Sequence, residues 1–336
     1  MKNQAFVIIP NFNGADFIAD CLRSLEQQSI PLNIVVVENG SSDGSVELIE
    51  SKFPKVTLLQ QPKNLGFAGG VNVGIRHALE NGAEFILLLN NDSVAEENWA
   101  EKLITALKQQ PKLGIATSKM IANTHPAHID STGEQYSTWG LAFPRGRNST
   151  DLDKYDDAKV SIFGASGGAS AYRADMFTEI GLFDEDFFAY YEDVDLSFRA
   201  QLAGWKVAYV PSAVVHHQIG ATAKKMRGFS TYQAFKNQPW VILKNLPFAL
   251  WLSVWPRFAL AYVFFMLSAI VKGKGLYALR GWLASVLFIP KKLVQRISIQ
   301  RGRKVTASQL NSLLYKGLPS DYKNLHKLVY FYRRWL

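Results

Sequence analysis

Two polar stretches hold the residue types most able to do chemistry in this chain. The first is Asn90-Asn91-Asp92, which abruptly ends the apolar run Phe85 to Leu89. Five apolar residues are too few to cross a membrane and fit a fully buried strand. In an open α/β sheet the carboxyl ends of the strands face the ligand crevice. A carboxylate there, flanked by two amides, is a hard oxygen donor suited to Mg²⁺ or Mn²⁺. The same residues also suit a polar cap that starts a turn. The second stretch runs from Asp184 to Asp195, with six acids in twelve residues among four aromatics. Leu196, Arg199, Ala200 and Ala203 continue it at helical spacing to Gly204, a C′ glycine. Glu192 and Asp193 then occupy a helix's first turn, where the dipole favours ionised carboxylates. Capping explains one or two of these acids, and Glu192-Asp193-x-Asp195 less easily. A carboxylate in a cleft can take a proton from a hydroxyl.

The elements that must position these residues alternate. Ala5–Pro10 reads as a strand, followed by the loop Pro10-Asn11-Phe12-Asn13-Gly14. Phe17, Cys21, Leu22 and Leu25 recur at helical spacing. Asn33–Val37 is a second strand ending at Glu38-Asn39-Gly40, and Ser41-Ser42-Asp43 supplies N-cap chemistry for a helix over 44–51. Val56–Leu59 is a third strand. The glycine-rich Asn64–Gly70 then opens a helix carrying Val71, Ile75, Ala78 and Leu79. Phe85–Leu89 and a helix over Trp99–Gln109 complete the series, which implies parallel strands joined by crossover helices. Three strand ends thus offer polar groups to one rim: Asn11 with Asn13, Glu38, and Asn90 with Asp92. The glycine-rich loop can bring backbone N–H groups to an anion, or simply permit close helix–sheet packing. Pro-Asn-Phe-Asn-Gly after the first strand is not a dinucleotide fingerprint, and no P-loop is present.

Four blocks stand in order: Ile8–Asn13, Val36–Ser45, Asn64–Gly69 and Leu89–Asp92. Together they resemble the donor-binding half of a family 2 inverting glycosyltransferase with the GT-A fold, particularly its rhamnosyltransferase-like branch. The resemblance covers roughly residues 5–220. It implies that Glu38 contacts a nucleobase and that Asp92 holds a divalent metal, Mg²⁺ or Mn²⁺, on the donor diphosphate. It places Pro10, Asn11, Asn13, Asn64, Gly66, Phe67, Asn72, Asn90 and Asn91 among the donor contacts. Two departures are visible: Glu38 stands where Asp is commoner, and Asn90 takes the first position of the usual Asp-x-Asp. The second leaves a single carboxylate at the metal. The acidic stretch resembles the E-D-x-D-L segment of the same family, which makes Asp193 the catalytic base, supported by Glu192 and Asp195.

Between these landmarks, Leu113–Met120 resumes a strand pattern, and residues 121–160 read as short strands and loops. His125 and His128 fall there, where exposed loop histidines are expected rather than metal ligands. Phe163–Arg173 is rich in small residues, so a ligand could approach the backbone at Gly167 and Gly168, or the segment could pack tightly behind the sheet. With Tyr191 and Asp195 these glycines form the expected acceptor side. Val207–Pro211 is a further strand, followed by His216 and His217. Relatives often place a His before x-x-G, where it can complete the metal site or touch the diphosphate, and spacing to Gly220 selects His217 over His216. Adjacent strand residues face opposite ways, so at most one of the two can reach the site.

The 336-residue chain is long enough for one large or two smaller domains. Met1-Lys2-Asn3-Gln4 leads straight into a strand with no signal peptide, and a single cysteine, Cys21, suits a reducing cytoplasm. The net charge of +9 is divided: residues 224–336 carry 20 Lys or Arg and one acid, whereas residues 1–223 carry 17 and 27. This predicts a catalytic domain over 1–223, with a donor half to about 120 and an acceptor half beyond, then a basic helical region over 224–336. The longest apolar run, Phe258 to Val271, falls short of the roughly 20 residues a span needs. Pro247, Pro256 and Arg257 interrupt the stretch upstream. Trp and Lys/Arg beside aliphatic residues favour helices in the membrane interface on anionic lipid over nucleic-acid binding.

The expected fold is α/β, a GT-A-type mostly parallel sheet flanked by helices, plus a C-terminal helical membrane-associating region. The expected function is inverting sugar transfer at the cytoplasmic membrane face, from a dTDP- or UDP-linked donor to a lipid-linked acceptor. The rhamnosyltransferase flavour suggests dTDP-L-rhamnose, with UDP-galactose or a related donor as the alternative. A sugar nucleotidyltransferase would need a Gly/Arg-rich loop after the first strand, which is absent. A non-catalytic membrane-bound glycan-binding module would keep the fold without turnover.

Overall fold

The computed structural model describes residues 4–124, 126–218 and 226–319. His125, Gly220, Lys224 and Lys225 lie outside them. The described chain forms two compact units. One comprises residues up to Glu134 and Pro144–Arg227; the other joins Gln135–Phe143 to the chain from Gly228 onward. A charge count places one division near residue 223 and carries no information about the 135–143 insertion, whose place is set by long-range packing.

The first unit is built on a nine-stranded sheet. Its strands are β1 (Ala5–Asn11), β2 (Asn33–Glu38), β3 (Thr57–Gln60), β4 (Phe85–Leu89), β5 (Ser93–Ala95), β6 (Leu113–Ala122), β7 (His128–Ser131), β10 (Ala169–Arg173) and β11 (Lys206–His217). The spatial order is β3-β2-β1-β4-β10-β6-β11-β5, with β7 paired to β6. Strands β3, β2, β1 and β4 run parallel, as the alternation of strands and helices predicts. Beyond β4 the sheet is mixed: β10 is antiparallel to β4 and β6, β11 is parallel to β6, and β5 is antiparallel to β11. The sheet is therefore mostly parallel only over its first half. Strand β10 lies between β4 and β6, so the sheet is not laid out in chain order. Its small Ala169, Ser170 and Ala171 are buried in the middle of the sheet.

Both faces of the sheet are covered, which is why its strands read as continuous apolar runs. Val7, Ile9, Leu87 and Leu89 pack with Cys21, Leu22, Leu25, Trp99, Leu103 and Leu107 from α1 (Ile18–Glu26) and α4 (Trp99–Gln109). The alternate residues Phe6, Ile8, Ile86 and Leu88 pack with Val71 and Ile75 of α3 (Gly66–Glu80), Phe177 of α5 (Ala174–Ile180) and Leu196 of α6 (Glu192–Leu202). Helix α3 lies so close that a Cβ at Gly74 would sit 2.3 Å from the Ile8 side chain. The remaining helix, α2 (Ser45–Lys52), buries Ile49 on the first of these faces.

The second unit is helical: α7 (Phe229–Asn245), α8 (Phe248–Val271), α9 (Gly275–Leu287), α10 (Ile289–Arg301) and α11 (Ala307–Leu313). Trp240 of α7 is fully buried and donates to the Ser285 carbonyl at 3.0 Å. At Gly281 of α9 an added Cβ would fall 2.4 Å from the Tyr232 carbonyl, so only glycine allows this approach of α7 and α9. The 135–143 segment joins them through paired backbone bonds, Thr138 N–H to the Tyr315 carbonyl and Tyr315 N–H to the Tyr136 carbonyl, both 2.9 Å.

Helix α8 departs from the sequence expectation. Pro256 does not interrupt it, and 24 continuous residues form, long and apolar enough by length and composition to cross a membrane. Proline removes one helical donor, whose carbonyl partner would be that of the exposed Leu252.

Candidate active site

The site is assembled at the carboxyl ends of β1, β2 and β4. Asn11 ends β1 and is fully buried. Its Nδ2 donates to Glu38 Oε2 at 2.6 Å and to Ser45 Oγ at 3.0 Å, while its Oδ1 accepts from Asn91 Nδ2 at 2.7 Å. Ser41 N–H donates to Glu38 Oε1 at 2.9 Å, and Ser45 Oγ donates to Glu38 Oε2 at 3.3 Å. Glu38 is therefore 2% exposed with both oxygens engaged. It pins the loop between β2 and α2 rather than presenting an open carboxylate to a base. Asn13 has a positive φ of 50° and accepts from Ser42 N–H at 2.9 Å, so it braces the same loop. Pro10, Asn13 and Asn90 keep partial exposure on the rim.

The glycine-rich entry to α3 is tied to the acidic stretch. Gly66 N–H donates to Asn64 Oδ1 at 2.7 Å, and Ala68 N–H donates to the Phe188 carbonyl at 3.1 Å. These two N–H groups have protein acceptors, which weakens the reading of this loop as an anion cradle. Gly66 (φ +73°) is also packed against Phe188, where a Cβ would come within 2.4 Å of the carbonyl oxygen.

Asn72 requires a correction. It was expected among the donor contacts, yet it is 1% exposed. Its Nδ2 donates to the Phe183 carbonyl at 2.8 Å and to Glu185 Oε1 at 3.0 Å, and its Oδ1 accepts from Phe183 N–H at 3.0 Å. It is a strut between α3 and the acidic stretch, a role that spacing within one helix cannot reveal.

Five of the six acids of that stretch separate by role. Asp184 accepts from Asp186 N–H at 3.2 Å and caps a short 3₁₀ turn over Glu185–Phe187. Glu185 meets Asn72 and, at 3.4 Å, Arg76. Asp195 is fully buried, and its carboxylate takes Arg199 Nε at 2.9 Å. Arg199 in turn donates to the carbonyls of Ile180, Gly181 and Leu182. Glu192 is buried in the first turn of α6. Asp193 differs from these: it is half-buried and accepts from two backbone groups, Gly167 N–H at 3.1 Å and Val194 N–H at 2.8 Å. Burial raises its pKa above the ordinary carboxylate range, against the pull of those two N–H groups. A carboxylate tuned upward is better suited to accept a proton near neutral pH. The chain enters α6 through three residues of positive φ, Phe188 (64°), Tyr190 (67°) and Tyr191 (70°). Such non-glycine conformations cost about 1–3 kcal/mol each and collect at ligand-binding segments.

Gly167 and Gly168 bring the two stretches together. Gly167 holds Asp193, and a Cβ there would meet the Phe67 ring at 3.0 Å. The Gly168 carbonyl accepts from Asn90 N–H at 2.9 Å, and a Cβ there would fall 3.0 Å from Asn90 Nδ2. The small-residue segment packs tightly between Asn90 and Asp193.

At the other end, Asp92 Oδ1 stands 3.2 Å from His217 Nε2, and His217 Nδ1 stands 2.8 Å from Asp130 Oδ2. His216 faces away, exposed, 3.7 Å from Glu96. Although burial opposes its charge, hydrogen bonds to Asp130 and Asp92 push the His217 pKa up to about 9. Asp130 also pairs with Arg147 at 2.6 Å. Burial alone would raise its pKa, but His217 and Arg147 hold it below the usual carboxylate value. Sequence reasoning missed Asp130 and Arg147; the acid in Asp130-Ser-Thr-Gly-Glu134 was the available signal, and its distance from His217 in sequence hid the pairing.

Asp92 and His217 suit a divalent cation as an oxygen and a nitrogen donor side by side, with the ring oriented from behind by a carboxylate, a common support for metal-bound histidine. Among the described residues, no group of three or more His, Cys, Asp or Glu converges as a metal site. The protein set is thus lean, as the single carboxylate of Asn90-Asn91-Asp92 implies.

Comparisons with known proteins bear on the family and the fold. An N-acetylglucosaminyl-diphospho-decaprenol L-rhamnosyltransferase of Mycobacterium tuberculosis is 28% identical over 213 residues, covering 58% of this chain and 69% of the relative. The O-antigen chain rhamnosyltransferase RfbN of Salmonella typhimurium is 24% identical over 241 residues, 70% of this chain and 73% of the relative. S. aureus TarS 1-349 in complex with UDP-GlcNAc superposes with a TM-score of 0.56 at 16% identity, covering 89% of this chain and 91% of that one. That likeness shows the GT-A type of α/β fold. The family model for glycosyl transferase family 2 matches residues 6–181, more than half of the chain, and the protein belongs to that family.

Proposed function

We propose that this glycosyltransferase moves a sugar, with inversion, from a nucleoside-diphosphate donor to a lipid-linked glycan acceptor, and that L-rhamnose from dTDP-L-rhamnose is the donor to test first. The observation that supports this most is one rim carrying both halves of the chemistry. Asp92 with His217 lies at one end and the upward-tuned Asp193 at the other, joined through Asn90, Gly168 and Gly167. The rhamnosyltransferase relatives guide the choice of donor, with UDP-galactose as the alternative.

In this mechanism the donor lies across the ends of β1, β2 and β4. Pro10, Asn13 and Asn90 face it, and Glu38 with Asn11 and Asn91 holds their loops in place. Asp92 and His217 would hold Mg²⁺ or Mn²⁺, which when bound neutralises negative charge on the departing nucleotide diphosphate. Asp193 accepts the proton of the acceptor hydroxyl as its oxygen attacks the anomeric carbon from the face opposite the leaving group. The Gly167 N–H aims the Asp193 carboxylate, and Glu192, Tyr191 and Asp195 keep the first turn of α6 in place. The helical unit holds the enzyme on an anionic membrane surface at the cytoplasmic face. Nineteen of the twenty-three exposed large hydrophobic residues among those described lie between Phe248 and Ile297.

A panel of nucleotide sugars, assayed for transfer or slow hydrolysis with and without EDTA, tests this reading. The expected result is turnover of one or a few donors, dTDP-L-rhamnose foremost, lost with EDTA and restored by Mg²⁺ or Mn²⁺. Turnover of none, or turnover indifferent to EDTA, contradicts it.

A further inference from the structure

Residues 129–133 run against residues 145–149 through backbone bonds on both sides of Asp130. Ile129 N–H donates to the Ser149 carbonyl at 2.8 Å, and the Ile129 carbonyl accepts from Asn148 N–H at 2.9 Å. Thr132 N–H donates to the Arg145 carbonyl at 3.0 Å, and Arg145 N–H donates to the Gly133 carbonyl at 2.8 Å. Between the two arms the chain passes through β8 (Glu134–Tyr136) and β9 (Ala142–Pro144), which pair with each other. The second arm is held by side chains as well. The Arg145 guanidinium lies over the rings of Tyr155 and Tyr209, at 5.0 and 5.6 Å, and its Nη1 donates to Thr132 Oγ1 at 2.9 Å. These contacts flank Arg147 and Asp130 and keep the two side by side.

The Asp130 carboxylate, 3% exposed, is divided between two partners. Its Oδ1 accepts from Arg147 Nη2 at 2.6 Å, and its Oδ2 stands 2.8 Å from His217 Nδ1. Arg147 Nε also donates to the Asp130 carbonyl at 3.2 Å. A guanidinium only donates, so the atom at the Oδ1 position must accept. A carboxylate meets that demand and still offers its second oxygen to the ring. A carboxamide, with one oxygen, cannot do both.

We propose that Arg147 and Asp130 are positioning residues that set the tautomer of His217. Arg147 claims one oxygen of Asp130, the other oxygen holds the proton on Nδ1, and the Nε2 lone pair is left for the cation that Asp92 shares. The reading of Asp92 and His217 as a cation site belongs to the proposed function, and this inference rests on it. The arrangement predicts that the isosteric change at Asp130 does more harm than truncation. In Asp130→Asn, Arg147 takes the amide oxygen and turns the NH₂ group toward Nδ1, which must then accept. The ring proton moves to Nε2 and blocks the cation, the same wrong-tautomer fault that asparagine causes in a catalytic triad. In Asp130→Ala the ring is looser but keeps access to the correct tautomer. In the double variant Asp130→Asn/Arg147→Met the amide is free to rotate and offer its oxygen to Nδ1–H.

The test is Mn²⁺ binding to the full-length protein in the presence of UDP and, separately, dTDP. Calorimetry gives the affinity, and pulsed EPR gives the nitrogen-14 modulation of a directly bound imidazole, with His217→Ala marking its loss. Wild type should show the modulation. Asp130→Asn should lose it and bind Mn²⁺ about 10–100-fold more weakly. Asp130→Ala should lose less affinity, and the double variant should regain both affinity and modulation relative to Asp130→Asn. A purely structural role predicts the reverse order, with the double variant worst, and that order overturns the proposal. Modulation in wild type that survives in Asp130→Asn overturns it alone. Mn²⁺ bound to wild type without nitrogen modulation removes His217 from the cation site and overturns it while leaving Asp92 and sugar transfer standing. No Mn²⁺ binding by wild type removes the cation site, and with it both this proposal and the metal-assisted reading of the function.

Discussion

The two units of this chain manage polar and apolar surface in opposite ways. In the sheet unit apolar side chains are enclosed on both faces, and a set of buried polar groups at the strand ends is matched one to another. Asn11, Glu38, Ser45 and Asn91 satisfy each other, and Asp195 satisfies Arg199. In the helical unit apolar side chains are left bare along whole stripes. Leu252, Leu260, Val263, Leu267 and Ile270 recur on the exposed side of α8, up to Val271 at 87% exposure. Leu250, Val254, Phe258, Ala261 and Ala269 occupy its buried side. The described residues of this unit contain no acidic side chain at all. A soluble surface rarely exposes so much contiguous apolar area. The sheet unit fixes a few polar atoms at its strand ends, whereas the helical unit leaves apolar side chains exposed beside basic ones.

That contrast can be broken at either end, and the largest effect belongs to the sheet unit. Replacing Asp195 with Ala leaves the Arg199 guanidinium in a buried place without its carboxylate. The loss of unfolding free energy should be about 3–5 kcal/mol. Chemical denaturation monitored by tryptophan fluorescence measures it, and a change below about 1 kcal/mol would mean that the ion pair is not a fixed part of the site. In the helical unit the same kind of measurement should register little. Serine at Leu252, Leu260 or Leu267 removes a side chain already in water, so stability should move by no more than about 0.5 kcal/mol each. Co-sedimentation with anionic liposomes should instead fall about tenfold or more for the triple variant, from lost burial of three leucines. Binding should also weaken with salt. Loss of stability without loss of liposome binding would assign those leucines to a protein interior.

What the sequence revealed depended on whether a feature is local. Phe85–Leu89 and Trp99–Gln109 have the bounds their apolar patterns predict, because five buried residues and a helical repeat need no information from elsewhere. His217 could be preferred over His216 from spacing, and alternation along β11 accounts for the outcome. Non-local features escaped. Strand β10 enters the middle of the sheet because small residues fit there, which no periodicity shows. Asn72 lies on a helix that faces the site and serves a segment more than 100 residues away. Pro256 signals a break, yet packing on one side of α8 carries the helix through it. Asp130 and Arg147 sit in a stretch that reads only as short strands and loops, and their relevance arises from what they touch. The roles of Asp92 and Asp193 come from the resemblance, and the structure adds the Gly167 and Val194 N–H bonds to the Asp193 carboxylate.

In the proposed mechanism Asp193 is the base on a rim that binds a nucleotide-sugar donor. The most direct measurement compares wild type with Asp193→Asn for sugar turnover and, in parallel, for binding of the donor nucleotide by calorimetry in the presence of Mg²⁺ or Mn²⁺. Turnover should fall by about 10²–10⁴-fold while donor affinity stays within about threefold, since the substitution keeps the side-chain shape and removes only the proton acceptor. Turnover in Asp193→Asn equal to wild type would contradict it.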